Sequence, residues 1–197
     1  MGIIIDVSSY QGAINWEKAK AAGVETVIHR STIRSGDPDK RLYQNAEKIA
    51  KVGGIDLQFY KFSYVRCGYE AYNECAEAID AIEKIPGYDY TRMLWLDLEG
   101  WDGRDYTKRE AFDVIAAYVC CCMARLWSVG IYANYNYLKH IIPQCFKNMP
   151  VWAARYNKTL GDVSPFQPVL WQYSSEGAVN GIEGKVDVNV RISGGPA

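Results

Sequence analysis

Two carboxylates stand one residue apart inside an apolar run at residues 94–100, Leu-Trp-Leu-Asp-Leu-Glu-Gly. Side chains alternate along a strand, so Leu94, Leu96 and Leu98 take one face while Trp95, Asp97 and Glu99 take the other. The two acids then project together, about 6–7 Å apart along the chain by the strand rise. Two more segments repeat the arrangement. Asp6 follows three isoleucines, and at residues 185–190 the valines 186, 188 and 190 alternate with Asp187 and Asn189. If the first and last strands are neighbours, four acids from three strands converge. Crowded, half-shielded carboxyls cannot all ionise freely: repulsion and lost hydration raise at least one pKa and leave a proton donor near neutral pH. Such a set is the equipment of glycoside hydrolysis, with Glu99, Asp97, Asp6 and Asp187 as the candidate catalytic acids. The plain alternative is a polar strand face turned to solvent. Against it for Asp97 and Glu99 stand the apolar surroundings, the strand-end position and Trp95 on the same face. Asp6 as a loop cap and Asp187 as a partner for a backbone amide are the competing roles for those two.

Sugars also need flat apolar platforms and a hydrogen-bonding rim. Tyr60, Phe62, Tyr132, Trp152, Arg155, Trp171 and Gln172 fall at expected strand ends, and 15 Tyr and 6 Trp in 197 residues leave a surplus beyond what the core takes. They are the candidate substrate-binding residues.

The elements that must position these groups alternate in period. Strands are expected at residues 2–6, 24–31, 55–64, 94–100 and 129–134. Helices are expected at 15–23, 39–54, 69–85, from the Thr107/Glu110 capping box to about Trp127, and at 135–142. Beyond these, 150–156, 168–173 and 185–190 read as strands joined by loops alone. Five strand–helix units imply parallel strands with right-handed crossovers, and three further strands bring the count to eight. The fold class is therefore α/β, a closed or nearly closed single-domain barrel whose last third lacks helices. In such barrels the chemistry sits at the carboxyl ends of the strands, where Glu99 falls.

Length and 49% hydrophobic content allow one substantial core. A net charge of −1 with interspersed signs gives no footprint for nucleic acid or an anionic membrane. No apolar stretch approaches the roughly 20 residues of a membrane helix. The opening Met-Gly-Ile-Ile-Ile-Asp meets a carboxylate too early for a signal-peptide core, so synthesis in the cytoplasm is expected. Cys120, Cys121 and Cys122 are consecutive and cannot all pair; they read as small core residues of a protein made in a reducing compartment. The cysteines lack metal-ligand spacing, and only His29 and His140 could assist them.

Five stretches together resemble a known family: IDVSSYQGAINW (5–16), LWLDLEG (94–100), VGIYANYNYL (129–138), PVWAARYN (150–157) and LWQYSSEGAVNGIEGKVDVN (170–189). In order and spacing they are similar to the glycoside hydrolase family 25 lysozymes, the Chalaropsis-type muramidases of phages and bacteria. The resemblance implies a flattened (β/α)5β3 TIM-like barrel over residues 1–192, leaving 193–197 as a tail or linker stub. It implies cleavage of the β-1,4 bond between N-acetylmuramic acid and N-acetylglucosamine in cell-wall peptidoglycan by a monomer that needs no metal or cofactor. It also implies action on the wall or outside the cell after release. By motif, Glu99 resembles the general acid and base and Asp97 its partner, which orients the substrate's own acetamido group for a retaining reaction. Asp6 and Asp187 resemble the supporting acids. Arg30, in VIHRSTIRSG (27–36), stands where many relatives carry Lys or Arg and is assigned to substrate binding, although the Gly-Tyr pair of those relatives is missing. Lys61, in FYKFSYV (59–65), occupies a segment that is usually more apolar. Two other readings use the same acids: a glycan-binding module without turnover, and a metal-dependent hydrolase.

Overall fold

The computed structural model describes residues 2–87 and 91–192; the expected tail at 193–197 lies outside them. Eight strands close into one barrel in sequential order. The chain runs β1 (Ile3–Val7), α1 (Trp16–Ala21), β2 (Val24–Arg30), α2 (Leu42–Val52), β3 (Asp56–Phe62), α3 (Gly68–Glu83) and β4 (Met93–Asp97). It continues through α4 (Lys108–Ala124), β5 (Ser128–Asn134), α5 (Tyr135–His140), β6 (Val151–Ala154), β7 (Pro168–Gly177) and β8 (Val186–Arg191). This is the (β/α)5β3 order. Neighbours from β1 to β7 pair parallel, while β8 runs antiparallel to both β7 and β1.

The alternation expected at residues 94–98 is the rule that builds both layers of the core. Leu94, Leu96 and Leu98 join the apolar layer between sheet and helices, with Ala78 and Ile82 of α3 and Val114 and Ile115 of α4. Trp95 enters a second cluster inside the barrel, with Ile4, Ile28, Tyr132, Trp152 and Leu170. Gly130 faces Trp95 across the β4–β5 pair, and a Cβ there would lie 2.4 Å from the indole ring, so only glycine leaves room for it.

Helix α4 begins on the expected capping box, with the Glu110 amide donating to Thr107 Oγ1 at 3.2 Å and the Thr107 amide to Glu110 Oε2 at 2.8 Å. It stops at Ala124, short of Trp127, because Leu126 adopts φ 58° and the Trp127 amide turns back to the Cys122 carbonyl. The three consecutive cysteines do not share a fate: Cys121 and Cys122 are buried and Cys120 is exposed. Successive helix positions lie about 100° apart, so one core-facing stripe cannot take all three. All six thiols are free.

On the outer face of β3, Lys61 is only 1% exposed. Its Nζ lies 3.4 Å from Glu74 of α3, whose other oxygen accepts the Tyr118 hydroxyl of α4 at 2.8 Å. Charge buried in this layer persists only when paired in this way.

Candidate active site

The carboxyl ends of β1–β7 form the barrel mouth. Because β8 is antiparallel, its amino end lies there, and Asp187 pairs directly with Asp6 across the β1–β8 ladder. Asp97 closes β4 beside Phe62 of β3 and Tyr132 of β5. Glu99 follows just beyond the strand. The first, fourth and last strands thus deliver four acids to one opening.

Two clefts share that opening. One, of about 420 Å³, is lined by Asp6, Asp97, Asp187, Arg30, Tyr60 and Phe62 among others. The second, of about 410 Å³, is lined by Glu99, Tyr132, Asn134, Ala154, Arg155 and Tyr156 among others. A larger cavity of about 680 Å³ opens at the opposite end of β6 and β7, between Lys147, Met149, Pro150, Pro165 and Val169. No acid lines it, and volume alone does not make it the seat of the chemistry.

Beneath the first cleft a chain of hydrogen bonds fixes Asp6, which is 7% exposed. Asn189 Nδ2 donates to Asp6 Oδ2 at 2.8 Å, and Gln172 Nε2 donates to Oδ2 at 3.0 Å and Oδ1 at 3.2 Å. Gln172 Oε1 in turn accepts the hydroxyls of Tyr132 and Tyr156, each at 2.8 Å, and Asn189 Oδ1 accepts Trp152 Nε1 at 2.7 Å. Burial, then the Asp187 charge, push the Asp6 carboxyl from 3.8 up to about 7 despite these donors. Burial raises Asp187 as well, and its hydrogen bond to Asp6 opposes that rise. Asp6 therefore holds the proton of this pair and Asp187 accepts it.

Asp97 is also 7% exposed, and its Oδ1 is buried without a hydrogen-bond partner among the described residues. Burial lifts its pKa well above the usual carboxylate range; the charges of Glu99 and Asp6 add to the rise and that of Lys61 opposes it. Glu99 is raised by burial first and by Asp187, while a hydrogen bond from Asn134 holds it down. Asn134 Oδ1 accepts the Tyr137 amide at 3.0 Å as the N-cap of α5, which leaves its amide group free to meet Glu99. The site therefore offers a half-buried carboxyl, Glu99, whose hold on a proton is strengthened by burial, beside the buried, unpartnered Asp97 Oδ1, an arrangement that suits acid–base work on a bond laid across both clefts.

The expected binding residues separate into groups. Arg30, Tyr60 and Phe62 line the Asp97 cleft, and Tyr132 and Arg155 line the Glu99 cleft. Arg30 is tied to Asp39 at 2.6 Å, and Arg155 stacks 4.1 Å over Tyr135. Gln172 lies below the surface, where its amide group donates to Asp6. Trp152 is not an exposed platform: it is buried one layer down, with Tyr132 packed over it at 4.5 Å. Trp171 is turned away, because it alternates with inward-facing Leu170 and Gln172; its Nε1 bonds the Arg155 carbonyl at 2.9 Å. The sequence reading missed Asn134, Tyr156 and Tyr10. For Asn134 the cue was an Asn between a strand and a helix-period run. For Tyr10, which is 86% exposed on the cleft rim, only its place in a loop after β1 pointed to a role. Among the described residues, no group of three or more His, Cys, Asp or Glu side chains is arranged to hold a metal ion. No helix among them is long and apolar enough to cross a membrane.

Comparison with known proteins gives a consistent picture. The family model described as Glycosyl hydrolases family 25 matches residues 5–182. The chain is 28% identical over 189 residues to the autolytic lysozyme of Clostridium acetobutylicum, covering 94% of this chain and 54% of that protein. It is 25% identical to lysozyme M1 of Streptomyces globisporus, covering 94% of this chain and 66% of the relative. The chain thus spans about half to two thirds of the length of these curated relatives. The catalytic domain of endolysin ply40 from bacteriophage P40 of Listeria monocytogenes superposes with a TM-score of 0.79 at 25% identity, covering 98% of this chain and 94% of that one.

Proposed function

The chain belongs to glycosyl hydrolases family 25, and from that premise we propose that it is a peptidoglycan hydrolase, an N-acetylmuramidase, whose catalytic unit is residues 1–192. The bond cut is the β-1,4 link between N-acetylmuramic acid and N-acetylglucosamine, and the place of action is the cell wall. The observation that carries this reading is the unpartnered Asp97 Oδ1 beside a raised Glu99. A buried acceptor without a donor costs about 1–3 kcal/mol, and an incoming N–H group relieves that cost. An N-acetylated sugar carries such an N–H on C2, next to the anomeric carbon.

With that N–H on Asp97, the acetamide oxygen faces the anomeric carbon. Glu99 gives its proton to the departing glycosidic oxygen while the acetamide oxygen closes on the carbon. Glu99, now a base, then takes a proton from water, which opens the ring with net retention. Asp187 supports Glu99 by raising its pKa, and Asp6, paired with Asp187 across the β1–β8 ladder, supports Asp187. Arg30, Tyr60, Phe62, Tyr132 and Arg155 bind the glycan along the two clefts.

The test is digestion of purified peptidoglycan by wild type and Glu99→Gln, followed by assay of new reducing ends. The variant should lose about 10²–10⁴-fold in rate with unchanged thermal unfolding, and the new reducing sugar should be N-acetylmuramic acid. Undiminished cleavage by the variant would remove Glu99 from its role, and N-acetylglucosamine at the new end would reassign the bond. A wild type that binds the polymer without releasing reducing ends would be a glycan-binding module.

A further inference from the structure

Four cations stand on β2, β3 and the loops that follow them, with Arg30 lining the Asp97 cleft and Lys61 buried on the outer face of β3, and three of them are already engaged. Arg30 is bound to Asp39 at 2.6 Å, Lys61 to Glu74 at 3.4 Å, and Arg66 donates to the Trp101, Arg104 and Asp105 carbonyls at 3.1, 2.9 and 3.2 Å. The fourth, Arg34, is exposed and makes no hydrogen bond or ion pair among the described residues. Its guanidinium lies 4.7 Å from the Trp101 ring centroid and 5.8 Å from that of Tyr64. Stacking fixes the plane of a guanidinium and leaves its N–H edge open, the geometry that meets a carboxylate in fork fashion.

The mount is rigid. The loop bearing Arg34 is pinched by a bridge between Thr32 and Pro38 and by the Ile33 amide on the Asp37 carbonyl at 2.9 Å. The buried Lys61 Nζ holds the Ile33 carbonyl at 3.3 Å, one residue before Arg34. The rings beneath are continuous with the site: Phe62, paired with Asp97, packs on Tyr64 at 4.7 Å, and Tyr64 on Trp101 at 6.2 Å. A ligand crossing the acids thus meets an apolar shelf ending in an unpaired cation.

This step rests on the muramidase reading. We propose that Arg34, seated on Tyr64 and Trp101, binds a carboxylate carried by the lactyl substituent of the muramic acid, so that the enzyme reads the side branch as well as the glycan. The acids at the cleft floor would repel such a group, and Arg34 offers it a separate place at the rim. Two sources share this chemistry: the lactyl carboxylate itself in a bare glycan, and the carboxylates of an attached stem peptide.

The test is calorimetric binding of the disaccharide N-acetylglucosaminyl-N-acetylmuramic acid, which lacks the bond the enzyme is assigned to cut. It is used in three forms: bearing its stem peptide, stripped of the peptide by an amidase, and bearing the peptide with every carboxyl amidated. Arg34→Met, which keeps a long apolar stem, should bind the peptide-bearing or the stripped form about fivefold more weakly than wild type, the size expected of an exposed ion pair. Arg34→Lys should recover most of the loss, and added salt should shrink it. Loss with the peptide-bearing form alone identifies the stem peptide as the source, and loss with the stripped form identifies the lactyl group. Equal binding by wild type and Arg34→Met to both carboxylate-bearing forms overturns the proposal, as does an equally large loss with the amidated form. Reducing-end release by wild type is scored separately, so failure of the muramidase reading is distinguishable from failure of this site.

Discussion

Replacing Asp6 with Asn asks whether the acids at the mouth share protons as their burial requires. Burial and the Asp187 charge carry Asp6 from 3.8 to about 7. An acid whose folded-state pKa lies above its unfolded-state value stabilises the fold fully below the lower pKa and loses that contribution as the pH rises through the higher one. Here the window runs from about pH 3.8 to about pH 7. Those roughly three pH units, at about 1.4 kcal/mol each, amount to about 4 kcal/mol, an upper bound because Asp187 shares the proton. Asp6→Asn copies the protonated acid: its carbonyl accepts from Gln172 and Asn189 and its amide donates toward Asp187. The variant should therefore match wild type near pH 4 and exceed it progressively, by up to about 4 kcal/mol at pH 8. Urea unfolding at a series of pH values measures the difference directly. A difference that stays flat with pH, or that turns against the variant as pH rises, would refute the proton assignment.

The other predictions concern the buried Lys61–Glu74 pair outside the barrel and the acids at its mouth. Lys61→Met and Glu74→Gln should each destabilise the fold by about 3–5 kcal/mol, since each strands a buried partner, while the double variant recovers much of the loss. Single variants within about 1 kcal/mol of wild type in urea unfolding would show the pair to be hydrated instead. Asp187→Asn removes a charge that raises Glu99, so the basic limb of the kcat/KM profile on peptidoglycan should move to lower pH. A limb that stays in place or moves upward contradicts the coupling.

Much of this was legible because β-strand alternation is a rigid rule. It separated Leu94, Leu96 and Leu98 from Asp97 and Glu99, and Val186 and Val188 from Asp187, without any knowledge of the fold. The same rule, applied throughout, separates Trp171 from Gln172, so only one of those neighbours faces the barrel interior. Depth was not legible. Trp152 takes the inner face yet lies under Tyr132, and nothing in residue type distinguishes a ring at the mouth from one a layer below. The sense of the last strand was also hidden, since an alternating run reads the same in either direction. That sense places Asp187 at the mouth from the first turn of β8 rather than its last. Arg34 escaped because its position depends on a loop whose anchor, Lys61, is 28 residues away in sequence.

Burial puts a proton on Asp6 against the N–H donors beneath it, and those donors decide where that proton points. An indole N–H can only donate, so Trp152 forces the Asn189 carbonyl toward itself and the Asn189 amide toward Asp6. Gln172 is aligned the same way, with its carbonyl toward the hydroxyls of Tyr132 and Tyr156 and its amide toward Asp6. Every donor from the barrel interior therefore arrives at Asp6 as N–H, and the Asp6 proton has no acceptor on that side. It is directed to Asp187, where the hydrogen bond opposes the upward pull of burial, and the Asp187 charge in turn raises Glu99. On this argument Trp152, although buried below the mouth, bears on the protonation of Glu99 through Asn189, Asp6 and Asp187.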